Sequence, residues 1–72
     1  MRTMRTKGFL VPNLPRVRAQ AGWSQQELAD EAGLLLRTVV DAENGHGVYP
    51  KTIKRFVAVL HCAPHDLLKE AS

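Results

Sequence analysis

The segment Gly22-Trp23-Ser24-Gln25-Gln26-Glu27-Leu28-Ala29-Asp30-Glu31-Ala32-Gly33-Leu34 constrains this chain more than any other. Ser24 stands where a helix N-cap belongs, its hydroxyl able to accept from a free backbone N–H of the first turn. Glu27, three residues on, can reach back to the Ser24 N–H and complete a capping box. Trp23 before the cap and Leu28 after it have the spacing of a hydrophobic staple. Leu28, Ala29 and Ala32 form an apolar stripe at helical spacing. Gly33 follows the last stripe residue, where a left-handed closing conformation costs glycine little. The pattern predicts a helix over 25–32 that stops at Gly33 and restarts at once. The small Ala29 faces where the next helix must cross closely.

The same punctuation runs through the rest of the chain. Asn13 reads as an N-cap and Pro15 is tolerated in the first turn behind it. A first helix is expected over 14–21, with Leu14, Val17 and Ala21 inward and Gly22 ending it. A third runs from Leu36 to Glu43 or Asn44 and ends at Gly45. Residues 45–48 are a loop. Pro50 suits the first position of a fourth helix, whose apolar face is Ile53, Phe56, Val57 and Leu60. Pro64 opens a short fifth helix carrying Leu67 and Leu68. Phe9, Leu10 and Val11 read as an extended lead-in. No strand, repeat or low-complexity stretch is evident. The expected fold is all-α, a compact five-helix domain over residues 13–69. A basic, mobile arm over 1–12 precedes it and a short tail over 70–72 follows.

Composition narrows the function classes. Seventy-two residues make one small core. Cys62 is the only cysteine, so no disulfide framework is available, and a lone thiol fits a reducing cytoplasm. His46, His61, His65 and Cys62 lack metal-ligand spacing, so neither metal nor cofactor is expected. No apolar run is long enough to span a bilayer. Arg2, Arg5 and Lys7 have no apolar stretch behind them and do not read as a secretory leader. No nucleophile–base set or phosphate loop is present, so an enzyme is not expected. The net charge of +3 permits nucleic-acid binding without establishing it. Its distribution says more. Arg16 and Arg18 lie on the first helix and Lys51, Lys54 and Arg55 near the start of the fourth, while acids gather at Glu27, Asp30, Glu31, Asp41 and Glu43.

A helix that stops at glycine and restarts is the front half of a helix-turn-helix, a unit that usually presents its second helix to DNA. The residues resemble the repressor/Cro-type (XRE) helix-turn-helix family. That family's second helix typically carries glycine, an apolar residue and then Ser-Gln-x-Glu-Leu-Ala, as Gly22–Ala29 does here. Its recognition helix typically ends Thr-Ile-Ser-x-apolar-Glu-x-Gly. Here the text is Thr38-Val39-Val40-Asp41-Ala42-Glu43-Asn44-Gly45. The apolar fourth helix and a short turn ending in Leu-Leu match as well, so the likeness spans Leu14 to Leu68.

The resemblance implies roles. Gln25, at the start of the second helix, would bond a DNA phosphate, and Thr38, Asn44, Lys51 and Thr52 would also grip the backbone. Leu35, Leu36, Arg37, Val40 and Asp41 would face base edges in the major groove. Arg37 is the candidate for a guanine, against a phosphate contact or plain surface charge. Leu36 could pack on a thymine methyl. Asp41 could accept from a cytosine amino group or orient Arg37, one turn away. Arg18 and Glu43 match a buried ion pair linking the first and third helices. Leu67 and Leu68 would form the seam of a homodimer bound to a near-palindromic site on double-stranded DNA.

Four positions depart from the family pattern. His61 stands where glycine is favoured after the fourth helix. Leu35 stands where Ser or Thr is favoured as the recognition-helix N-cap, and Val40 and Asp41 replace residues that are commonly polar or basic. The recognition face is therefore apolar and nearly neutral. Either it reads a thymine-rich site with flanking basic residues supplying affinity, or it contacts protein. The expected function is a cytoplasmic sequence-specific transcription regulator, a repressor. The alternative is a helix-turn-helix scaffold that binds a partner protein, as an antiactivator or antitoxin component would. No membrane association is expected.

Overall fold

Local signals and observed elements coincide closely. In the computed structural model, which describes residues 8–68, five helices follow one another. They are α1 (Leu14–Gln20), α2 (Gln25–Ala32), α3 (Leu36–Glu43), α4 (Pro50–Leu60) and α5 (Pro64–Leu68). The capping box of α2 is complete. The Glu27 N–H donates to Ser24 Oγ at 3.0 Å, and the Ser24 N–H donates to Glu27 Oε1 at 2.9 Å. Gly33 closes α2 in the left-handed region at φ 70°. His61 does the same for α4 at φ 56°, the one non-glycine residue with positive φ among those described. Such a conformation disfavours any side chain with a Cβ.

One core holds the helices together. Leu14, Leu28, Ala29, Val39, Ala42, Ile53, Phe56, Leu60 and Leu67 are buried in it, with Val11 from the lead-in and Val48 from the loop between α3 and α4. Every helix contributes, so none can bury its apolar face without the others. Ala29 is fully buried, and its small side chain lets α2 and α3 approach. Val17, Trp23, Leu34 and Val57 pack against the core edge.

Four expectations are corrected. Helix α1 ends one residue early, and Ala21 is its exposed closing residue, not part of the inward stripe. Asn13 does not cap α1, because its backbone is in the helical region (φ −90°, ψ −2°) where the side chain is turned away from the first-turn N–H groups. It ties the two ends of the fold together instead. Its Nδ2 donates to the Asp66 carbonyl at 3.0 Å and its N–H to the Leu67 carbonyl at 3.2 Å. Leu67, expected at a dimer seam, is fully buried in the chain's own core and has no surface to offer a partner; Leu68 is 36% exposed. The lead-in buries only Val11. Phe9 forms an isolated antiparallel bridge with Val48, N–H to carbonyl in both directions at 2.8 Å. The bridge needs glycine beside it, since a Cβ on Gly8 would lie 2.6 Å from the Gly47 carbonyl carbon. The basic residues Arg2, Arg5 and Lys7 lie outside the described residues.

Candidate nucleic-acid interface

A buried polar hub sets the position of α2 against α3. Arg18 on α1 forks onto Glu43 at the end of α3, Nε donating to Oε2 and Nη2 to Oε1, the latter at 3.2 Å. Its Nη1 donates to the Trp23 carbonyl at 2.8 Å. Gln25, the first residue of α2, donates from Nε2 to Glu43 Oε1 at 2.9 Å. The Glu43 side chain is only 7% exposed, so each of these donors offsets the cost of removing a carboxylate from water. The hydrogen bond to Glu43 raises the Arg18 pKa above its already high ordinary value, against the opposing effect of burial. Three helices thus meet at one carboxylate. The Gln25 side chain, read as a phosphate ligand, spends one of its two amide protons on this hub.

Helix α3 turns one face to the core and the other to solvent. Val39 and Ala42 are buried. Leu34 packs on the core, whereas Leu35 is 74% exposed and Leu36 40%. Leu35 is the N-cap of α3, with extended backbone (φ −75°, ψ 147°) and no side-chain cap bond. Arg37 projects into solvent, its Nε 3.7 Å from Asp41 Oδ2 one turn along. So open a pair contributes little stability, but it holds the two groups near each other. Thr38 and Val40 are half-buried and Asn44 is exposed at the closing position. Leu35 and the hub lie at opposite ends of α3, roughly 12 Å apart at 1.5 Å per residue.

The start of α4 completes the surface. Tyr49 is its N-cap and Pro50 its first residue, a place where the missing N–H costs nothing. A cleft of about 300 Å³ between α3 and this start is lined by Thr38, Asp41, His46, Tyr49 and Thr52, among others. It brings together three residues expected at a DNA surface and adds two, His46 and Tyr49, that the sequence reading did not assign. Lys51 and Lys54 are exposed. Arg55, grouped with them in sequence, donates from Nη1 to the Ala32 carbonyl at 3.0 Å and so satisfies an open carbonyl at the end of α2. A second cleft of about 210 Å³ is lined by Phe9, Pro50, Ile53, Lys54, Pro64 and Leu68.

Among the described residues no three His, Cys, Asp or Glu side chains gather as a metal site. Burial pushes the Cys62 thiol up, with the Asp66 charge adding to the effect, so thiolate is scarce at neutral pH. No helix among the described residues is long and apolar enough to cross a membrane.

The Helix-turn-helix family model matches residues 16–67. The chain belongs to the XRE-type helix-turn-helix family. Its membership places it among DNA-binding regulators of that type, a family that is generally non-enzymatic. Two solved structures are similar. One is the master regulator for biofilm formation SinR in complex with DNA, at TM-score 0.74 and 25% identity, covering 79% of this chain and 94% of that one. The other is the SinR protein/SinI protein complex, at TM-score 0.76 and 25% identity, covering 85% of this chain and 62% of that one. This chain thus spans less than two thirds of the second SinR chain. No curated protein matches the chain in sequence.

Proposed function

We propose that this protein is a sequence-specific transcription regulator, a repressor in the cytoplasm, that inserts α3 into the major groove of double-stranded DNA. The carrying observation is the outward face of α3. Leu35, Leu36, Arg37 and Asp41 project from a helix whose far end is locked to α1 and α2 through Glu43. A rigid mount of this kind lets side chains meet base edges in fixed register. Lys51, Thr52, Thr38 and Asn44 would hold phosphates on either side, and the second amide proton of Gln25 would serve the same purpose. The SinR–DNA complex is a precedent for a similar domain on DNA. One module covers a half-site, so useful specificity calls for a homodimer on a near-palindrome. With Leu67 in the core, Leu68 and the cleft it shares with Phe9 and Pro50 are the seam to test.

Selection from a randomised duplex pool tests this reading. Expected are an enriched near-palindrome, affinity falling steeply with salt, and loss of preference at one base pair per half-site in Arg37→Ala. A folded protein that enriches nothing at low salt overturns it. One observation favours a second reading, a protein-binding scaffold. Leu35 and Leu36 stand apolar and open, and a similar domain occurs in a complex with another protein.

A further inference from the structure

Resting on that DNA-binding reading, we propose that α3 selects its site through the C5-methyl groups of pyrimidines, with Leu35 and Leu36 as the specificity-determining residues. Thymine, and 5-methylcytosine by the same chemistry, are the bases they would recognise.

Local folding does not account for Leu35. The residue sits at an N-cap with backbone angles that suit serine or threonine, makes no cap bond and leaves 74% of its surface in water. Core packing does not account for it either, because Leu34 already supplies the inward leucine. Its apolar surface is open to a contact from outside the chain. Leu36, also open, extends the same apolar tip along the first turn.

The rest of α3 is poor in polar readers. Its residues, Leu36–Glu43, include no Asn, Gln, Lys or Ser. The bidentate amide contact that identifies adenine is therefore missing from the helix. Arg37 is the one cation, and Asp41 lies 3.7 Å from it. In the major groove the thymine methyl is the feature an apolar side chain can recognise, and it distinguishes T·A from A·T. The charge around this tip favours DNA as its partner. Arg37 follows the two leucines directly, and Lys51, at the start of α4 across the cleft from α3, is an exposed cation suited to a phosphate.

The experiment uses the duplex enriched from the random pool and replaces single thymines by deoxyuridine, which removes the methyl and leaves the Watson–Crick pairing edge intact. At fixed salt, wild-type protein should lose about fourfold in affinity for each methyl that Leu35 or Leu36 covers, the equivalent of ~0.8 kcal/mol per buried carbon. A 5-methylcytosine placed at such a position should bind correspondingly tighter than cytosine. Leu35→Ser, which restores a cap and so keeps the helix, and Leu36→Ala should each bind the thymine and uracil forms of their own position alike. Wild-type affinity indifferent to every thymine-to-uracil change, on DNA that it still binds specifically, overturns the methyl reading and leaves the DNA-binding reading standing. A folded protein that binds no duplex removes both and turns the leucine tip over to a protein partner.

Discussion

Helices α2 and α3 begin with nearly the same backbone and opposite chemistry. Ser24 caps α2 at φ −77°, ψ 166°, and Leu35 caps α3 at φ −75°, ψ 147°. Ser24 and Glu27 exchange two hydrogen bonds, whereas the Leu35 side chain makes none. The contrast extends to the C-terminal ends. Glycine closes α2 in the left-handed region, but α4 is closed there by His61. Helix α2 obeys each local rule and would start and stop correctly almost anywhere. Helix α3 starts without local help and is held by tertiary contacts, through buried Val39 and Ala42 and through Glu43. A helix fixed from its inner face and far end leaves its first turn free of structural duty. That freedom is what a recognition surface needs, because its residues can change without changing the fold.

The largest test breaks the anchor that makes this arrangement workable. Arg18→Met would leave the Glu43 carboxylate buried with only Gln25 beside it. A loss of about 3 kcal/mol is expected, as for other broken buried pairs, lowering Tm by more than about 10 °C in a domain this small. Adding Glu43→Leu should recover much of it, since an apolar pair avoids the unpaired charge. Thermal denaturation of both proteins decides the point. A loss below about 1 kcal/mol would mean that α3 holds its place without the hub.

Gly33→Ala attacks the well-made end of α2. Its φ of 70° disfavours alanine, and the new Cβ would meet Arg55 Nη1 at 3.1 Å, the group that bonds the Ala32 carbonyl. A cost of about 1–2 kcal/mol is expected from urea unfolding. The paired test at the helix starts should show opposite signs. Ser24→Ala should destabilise by about 1 kcal/mol, and Leu35→Ser should stabilise by up to about as much. If Leu35→Ser destabilises, the leucine has a structural role and the two helix starts do not differ in the way proposed.

Sequence legibility followed contact range. The capping box, the closing Gly33 and the proline starts of α4 and α5 are signals within a few residues, and the helix limits they set agree with the structure to within a residue. The outward placing of Leu35 and Leu36 came only through family resemblance, since no local signal separates them from Leu34, which packs on the core. The Arg18–Glu43 pair was visible only through family resemblance. Asn13 bonds a residue 53 positions away, Arg55 one 23 away and Gln25 one 18 away. No local pattern encodes such partners, so Asn13 was read as a cap and Arg55 as part of a basic cluster. Leu67 and Leu68 look alike in sequence, and the packing of α5 on α1 and α4 makes one core and the other surface. The cleft holding His46 and Tyr49 exists because the loop after α3 folds back beside it.

The smallest test concerns the other broken rule, His61. Its N–H donates to the Val57 carbonyl at 2.8 Å, a bond that the backbone makes whatever the side chain. Glycine would keep that bond and remove the Cβ strain of the left-handed conformation, while making the unfolded chain more flexible. The two effects oppose each other, so His61→Gly should stabilise by only about 0.5 kcal/mol, measurable as a small shift of the urea midpoint with unchanged slope. Its value lies in what should not change. Binding to the selected duplex should be the same as wild type, because nothing places His61 at the α3 surface. Leu35→Ser, by contrast, should gain stability and lose methyl discrimination together. If His61→Gly also weakened DNA binding, departure from a local rule would mark function at both ends. If it does not, the leucine is kept for its contact and the histidine is strain that the fold tolerates.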